Sequence, residues 1–512
     1  MDHLPDTVRS DGPVAPRRIK QQMAHGIAWM TAARMGVRFL GMLSTLVLAR
    51  LLTPADFGLI ALAMSVVKLV ETLREFGFEM PLIQKRDATR DDFDTAWTLN
   101  VILAGVICTL IAIAAPFAAD FYSEPRIEVI LYLVAAGHLF LAFQNIGTVQ
   151  FRRQLDFKRD FALQVAQKVS MVAVAIPLAF ALRSYWALVG GIVAGNVAAV
   201  IVSYAFMPYR PRFCLKSWRP LFSFSKWIQV SSMLRYVRDR GFVLVMGRAL
   251  DASAIGLFSV AKEIGGAANQ ALIAPINRAV FPGYSRLAND ADRLRDAYKS
   301  TLGLIALVAL PASTGVAAVS NLLVPVALGP QWQAAAPLLT LLALGGATRA
   351  LSASTASVLY AMGQPRQQTL TVAIQAITLL PMIAAGVLYK GMEGAAWAYL
   401  LHSIIVVLPV CYVIIFRSTP IRYSDAWDPL WRPALSAAAM FAVTKPLAIA
   451  WAHPDTWVAL PRLLAVTLVG GLVFTGCIAV LWHLAGRPEG AEKALLRRIA
   501  PRLERLRARL FS

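Results

Sequence analysis

The stretch RLLTPADFGLIALA, Arg50 to Ala63, returns in altered form as RALDASAIGLFSVA, Arg248 to Ala261. Aligned without gaps, the two copies share Arg50/Arg248, Leu52/Leu250, Gly58/Gly256, Leu59/Leu257 and Ala63/Ala261. Each copy reads as a short loop entering a helix, and about six helices separate them, which marks an internal repeat. An even number of spans between the copies gives both halves the same orientation. The halves are therefore expected to be related by a pseudo-two-fold axis along the membrane normal, and transporters of that design place the cargo site between the halves.

That the helices cross a membrane follows from composition. The chain has 512 residues, of which 58% are hydrophobic and only 15% charged. A soluble domain carries roughly 25% charged residues. A span needs about 20 mostly apolar residues, because backbone groups left unpaired in lipid are costly. The sequence predicts an all-α polytopic protein with about fourteen such segments. The first six run over 24–48, 57–77, 97–118, 127–147, 161–182 and 185–206. Six more run over 221–246, 252–274, 301–320, 334–361, 368–388 and 393–415, and two C-terminal spans over 433–451 and 461–484. The second, seventh and eighth contain charges and are the weakest by hydropathy. This gives an N-terminal tail (1–23), an N-lobe (24–206), a cytoplasmic linker (207–220), a C-lobe (221–415), the extra pair (416–484) and a basic tail (485–512).

Loop charge tests the count, since a missed helix would invert every later loop. With the N-terminus inside, the cytoplasmic loops receive Lys85, Arg86 and Arg90; Arg152, Arg153, Lys158 and Arg159; Arg210, Arg212, Lys216 and Arg219; and, later, Arg286, Arg293, Arg295, Lys299, Arg366, Arg417, Arg422 and Arg432. The opposite loops hold Arg50, Arg126, Arg183, Arg248 and Lys390. Both ends are thus expected in the cytoplasm of a bacterial inner membrane. The first apolar run has no evident cleavage site and reads as an uncleaved helix.

Lys and Arg total 50 against 29 Asp and Glu, a formal net charge of +21. Nucleic acid is not expected as a partner, because the apolar runs leave no soluble domain to bind it. Anionic lipids and an anionic cargo remain. The tail supports the lipids: Leu495, Ile499, Leu503, Leu506 and Leu510 alternate with Arg498, Arg502, Arg505 and Arg509 at the spacing of an amphipathic helix on an anionic leaflet.

The cargo points to charges inside spans. Arg34 and Arg38 share one face of the first helix, and each costs about 2.5 to 3.5 kcal/mol at the bilayer centre on insertion scales. Something anionic should face them. The second helix offers Lys68, Glu71, Glu75 and Glu79 on one stripe with Arg74 at its flank. Tyr236 and Arg240 lie near one face of the seventh, with Arg235, Arg238 and Asp239 around the sides; Lys262 and Glu263 mark the eighth; and Arg349 sits among Ser352, Ser354 and Thr355 in the tenth. The cavity-lining set is Arg34, Arg38, Lys68, Arg74, Arg240, Lys262 and Arg349, with Glu71, Glu75, Asp239 and Glu263 as coupling or salt-bridge groups. An internal salt-bridge network is the competing reading of the same residues. Cys108, Cys214, Cys411 and Cys477 are scattered without metal spacing and read as packing residues. No P-loop, GxSxG or HExxH occurs, so neither an enzyme nor a cofactor is expected.

At RLLTPADFGLIALA, FRRQLDFKRDF (Phe151 to Phe161), the run from Asp239 to Ile264, FPGYSRL (Phe281 to Leu287), GPQWQAAAPLL (Gly329 to Leu339) and YAMGQP ending at Pro365, the chain resembles the Wzx-type oligosaccharide flippases. These form the polysaccharide-transporter branch of the MOP superfamily, alongside the MATE drug exporters and the lipid II flippase. The resemblance covers nearly the whole chain. It implies two six-helix lobes around a cationic cavity, extra C-terminal helices, and an undecaprenyl-pyrophosphate-linked repeat unit as cargo for exopolysaccharide, capsule or lipopolysaccharide synthesis. A polymerase and a chain-length regulator of the same pathway are the implied partners. A MATE-like exporter would share the fold but favour cations, which suits Arg34, Arg38 and Arg240 poorly. A membrane polymerase or ligase would present a large outer loop, and the longest here, about 320 to 334, is short and uncharged.

Overall fold

The computed structural model describes residues 35–72, 82, 88–154, 156–216, 218–453, 455–488 and 490–493. Among them the chain is helical, with no strand. It divides into two compact units at Arg248/Ala249. The first holds a helix over 35–51 (α1), α2 (Pro54–Thr72), α3 (Arg90–Tyr122), α4 (Arg126–Leu141), the short α5 (Val149–Arg153), α6 (Phe157–Leu182), α7 (Trp186–Phe206) and α8 (Trp218–Ala249). The second holds α9 (Ala252–Leu287), α10 (Ala291–Ala327), α11 (Ala335–Ala361), α12 (Pro365–His402), α13 (Leu408–Ser418), the short α14 (Tyr423–Trp427), α15 (Trp431–Ala450) and α16 (Thr456–Leu484).

The repeat has a local structural counterpart. In both copies a helix ends, two residues break it, and a second helix begins: at Leu52–Thr53 in one, at Leu250–Asp251 in the other. The aligned residues Thr53 and Asp251 do the same work. Thr53 forms a reciprocal cap with Asp56, its Oγ1 donating to Oδ2 at 2.6 Å while accepting from the Asp56 N–H at 3.3 Å. Asp251 accepts from the Ala254 N–H at 3.2 Å. Each satisfies a donor that the first turn of a helix leaves open.

Eight described helical stretches are long and apolar enough to span a membrane. One of them, Pro365–Ser418, is folded back at Lys390 (φ −143°, ψ 30°) and Gly391 (φ 55°, ψ −133°), so it supplies both expected spans 368–388 and 393–415. Gly391 takes the positive φ that a side chain would resist. A further pair, Arg126–Leu141 with Ile146–Arg153, qualifies jointly but is bent by 65°. The helices α1, α2, α8 and α9 match the expected segments 24–48, 57–77, 221–246 and 252–274 where described. They fall outside the apolar set: α1 because only 17 of its residues are described, the others because charged and polar residues interrupt them.

Small residues let helices approach closely within each unit. A Cβ on Gly191 of α7 would meet Ala175 Cβ at 2.7 Å and the Met171 carbonyl oxygen at 2.9 Å, and one on Gly195 would meet the Gln167 carbonyl oxygen at 3.1 Å. This small-xxx-small seam joins α7 to α6. In the second unit Leu294, Tyr298, Leu302, Ile305, Val358 and Ile415 are fully buried in one core. A second core seats the C-terminal pair, with Ala448 of α15 and Val466 of α16 packed around Leu322 of α10. The outer face of α16 carries Leu464, Leu468 and Leu472, all well exposed, as a lipid-facing stripe should.

The segment after α7 is a strap tied across the start of α3. Tyr209 donates its hydroxyl to Asp94 Oδ1 at 2.7 Å, the Arg212 N–H donates to the same oxygen at 3.0 Å, and the Cys214 N–H donates to Thr98 Oγ1 at 2.9 Å. Asn145 donates its amide to the carbonyls of Met207 and Tyr209. Burial, then the Asp94 carboxylate, push the Tyr209 phenol well above its ordinary value. Asp94→Ala deletes two bonds to a carboxylate, worth roughly 3 kcal/mol together. Trypsin should then cut after Arg212 under conditions where the parent chain stays intact; equal resistance would show that the strap is held by other contacts.

Candidate functional site

Both units carry described charges within their spans. In the first, Arg38 stands on the exposed face of α1 among Met35, Phe39 and Met42. Glu71 of α2 is well shielded. Its Oε2 accepts from Lys68 Nζ one turn earlier, and its Oε1 lies 2.8 Å from His138 Nε2 on α4. Both Glu71 oxygens are thus engaged by Lys68 and His138, whereas the sequence suggested Arg34 and Arg38 as partners. Lys68 keeps its side chain 52% exposed, so the cluster reaches a surface at its ammonium. Arg34, Arg74, Glu75 and Glu79 lie outside the described residues.

On α8, Tyr236 is buried and donates to the Ser65 carbonyl oxygen of α2 at 2.6 Å, while Ser65 Oγ lies 3.1 Å from the Tyr122 hydroxyl of α3. This fastens α2 between two neighbours. Arg238 and Asp239 pair with each other through two 3.0 Å contacts, and Arg240 is exposed. Lys168 of α6 escaped the sequence reading. Its Cε occupies the notch left by Gly41 of α1, where an added Cβ would lie 3.2 Å away.

In the second unit two cations converge on one ring. Arg349 Nη1 of α11 donates to the Tyr399 hydroxyl at 2.8 Å, and Lys262 Nζ of α9 lies 5.1 Å from the centroid of the same ring. Tyr399 belongs to the arm of α12 beyond the Gly391 fold, so three separate helices build the cluster. It is almost wholly buried, with both cations half-buried beside it. One turn on, His402 Nε2 lies 3.0 Å from Thr378 Oγ1, and the chain then makes a π-helical turn over Ser403–Val407. Such turns often accompany functional sites. Glu263 is exposed on α9.

Sequence reasoning brought Lys262 and Arg349 forward but missed Tyr399, which looks like any aromatic in an apolar run. It also missed Lys445 of α15. That ammonium is held by oxygens from two other helices: Asn321 Oδ1 at 2.8 Å, Thr340 Oγ1 at 2.9 Å, Ser320 Oγ at 3.0 Å and the Ala317 carbonyl at 3.4 Å. The signal was present, since a lysine inside a span otherwise free of charge should have been flagged. No group of metal-binding side chains occurs among the described residues.

What the arrangement can do is hold anionic groups: guanidinium and ammonium groups in a low-dielectric setting bind phosphate oxygens more strongly than in water. Comparison with known proteins accords with this chemistry. Residues 47–337 match the family described as polysaccharide biosynthesis protein. The lipopolysaccharide biosynthesis protein WzxC of Escherichia coli (strain K12) is 23% identical over 435 residues, spanning 84% of this chain and 88% of that protein. The succinoglycan biosynthesis transport protein ExoT of Rhizobium meliloti (strain 1021) is 22% identical over 494 residues, 95% of this chain and 96% of its own length. The solved lipid II flippase MurJ, in an inward closed conformation, shares the fold with a TM-score of 0.71, covering 90% of this chain and 100% of that one at 12% identity. The chain belongs to the polysaccharide biosynthesis protein family.

Proposed function

We propose that the chain is a flippase for lipid-linked oligosaccharides, carrying repeat units on undecaprenyl pyrophosphate from the cytoplasmic to the periplasmic leaflet of the inner membrane by alternating access. The carrying observation is the convergence of Arg349 and Lys262 on Tyr399 from three helices. A pyrophosphate entering lipid needs cations that travel no further than a side chain can reach, and two on one rigid ring supply a fixed docking point. Arg38, Lys68 and Arg240 would extend the same service in the first unit. Exopolysaccharide, capsule or lipopolysaccharide synthesis is the setting, and a polymerase with its chain-length regulator would receive the cargo. The test is accumulation: a host deprived of the protein should collect unexported lipid-linked repeat units, and re-expression should clear them.

Direction requires a fixed topology, and the basic loops support both termini in the cytoplasm. Reporter fusions after Pro365 and Ser512 should report cytoplasm, and a fusion after Pro330 periplasm. A periplasmic signal at the C-terminus would contradict the assignment.

A further inference from the structure

Both ring nitrogens of His138 face oxygen atoms. Nδ1 lies 2.8 Å from the Val134 carbonyl oxygen, and Nε2 lies 2.8 Å from Glu71 Oε1. A carbonyl only accepts, and so does an ionised carboxylate. A neutral imidazole has a single N–H to offer, so against an ionised Glu71 one of these contacts would oppose two lone pairs in a shielded site. One additional proton removes the conflict. It sits on the ring, giving imidazolium and carboxylate, or on Glu71, whose O–H then donates to Nε2. Lys68 occupies the other carboxylate oxygen, Oε2, so in either form the proton lies between Oε1 and Nε2.

The position gives this proton leverage. The side chains of Glu71 and His138 are 15% and 12% exposed, yet Lys68 beside them is 52% exposed, so the cluster reaches the protein surface. The contact ties α2 to the last turn of α4, one turn before the 65° bend into Ile146–Arg153. Among the described residues few other titratable groups attend it. Toward α2, α3 and α8 present the Tyr122 and Tyr236 hydroxyls, both engaged at Ser65. Along α4, α3 has Cys108 as its single titratable residue between Asp94 and Asp120. Helix α7 presents the Asn196 amide beside Gly137, which does not titrate. The described cations of α1 are Arg38 and Arg50, and those of α6 are Lys158, Arg159 and Lys168.

We propose that Glu71 and His138 form a binding site for one exchangeable proton, and that its release frees α2 from the bend after α4 and so couples proton movement to cargo movement. This coupling rests on the flippase reading above. With the proton bound, Lys68, His138 and Glu71 sum to one positive charge; without it, to none. The proton comes from water and returns to it, and no other bond is made or broken.

Two measurements on the full-length protein decide the matter. Nitrogen NMR of histidine-labelled protein in lipid nanodiscs, with His138→Gln identifying the His138 signal, reports the ring's protonation directly. The expected result is a His138 signal whose ring protonation responds to pH, with a changed response in Glu71→Gln. A ring and a Glu71 carboxyl carbon, the latter read in glutamate-labelled protein, that each stay in one form throughout overturn the site. The second measurement is flux of a polyprenyl-pyrophosphate-linked oligosaccharide in vesicles. Collapsing a pH gradient should slow wild-type flux at least about fivefold, the low end of ordinary coupling energies, and should leave His138→Gln and Glu71→Gln unresponsive. Wild-type flux that ignores the gradient overturns the coupling while leaving the flippase reading intact. Absence of flux at any pH overturns the flippase reading and with it the coupling, and the NMR result then stands for the proton site alone.

Discussion

Arg349→Ala should lower polysaccharide export by about 10- to 150-fold while leaving the protein's abundance in the membrane unchanged. The range follows from one charge-assisted hydrogen bond, about 1.5 to 3 kcal/mol. Arg349 reaches the Tyr399 hydroxyl at 2.8 Å, so the phenol fixes the guanidinium while its remaining N–H groups can meet phosphate oxygens. Tyr399→Phe removes the hydroxyl but keeps the ring beneath Lys262, and should cause a smaller loss. Arg349→Lys keeps the charge without the fork and should fall between wild type and Ala. Export at the wild-type level in Arg349→Ala would remove Arg349 from the cargo path. Low abundance of Arg349→Lys as well as Arg349→Ala would assign the cluster to folding instead.

The second large effect is on folding. Gly386 and Gly394 face each other across the fold at Gly391, and a Cβ on either would overlap the other's carbonyl group. Backbone cannot rotate out of the way as a side chain can, so the two arms of α12 would have to part. Gly394→Val should therefore destabilise at or above the upper end of the usual overpacking cost, about 1 to 3 kcal/mol. Membrane abundance and thermal stability in detergent should both fall. Gly105→Val is the contrast, since a Cβ there meets nothing within 4 Å. Equal behaviour of the two variants would show that the arms of α12 are not packed backbone to backbone.

How much of this was legible depended on whether a residue's role is set by its own helix or by another. The repeat at Arg50–Ala63 and Arg248–Ala261 was readable because caps are local: Thr53 and Asp251 bond within their own first turns. The apolar spans were readable for the same reason, as hydropathy belongs to a single segment. Lys262 and Arg349 announced themselves as charges within spans, but nothing near Tyr399 in sequence shows that α9 and α11 bring both to its ring. Glu71 shows the limit most plainly. Spacing placed it on a stripe with Lys68, which is correct, but its second partner is His138, 67 positions along the chain by subtraction of their numbers. Likewise the linker expected over 207–220 contains a strap whose partners, Asp94, Thr98 and Asn145, come from distant turns. The basic amphipathic helix expected across Leu495 to Leu510 lies outside the described residues.

The most direct measurement is leaflet transfer of the cargo itself. Vesicles holding the full-length protein and a polyprenyl-pyrophosphate-linked oligosaccharide, initially confined to one leaflet, would be probed by a lectin that cannot enter them. The account predicts that sugar moves across with the wild-type protein, more slowly with Arg349→Ala, and not at all without protein. Transfer no faster than in protein-free vesicles, with a lipophilic cation carried across instead, would contradict it.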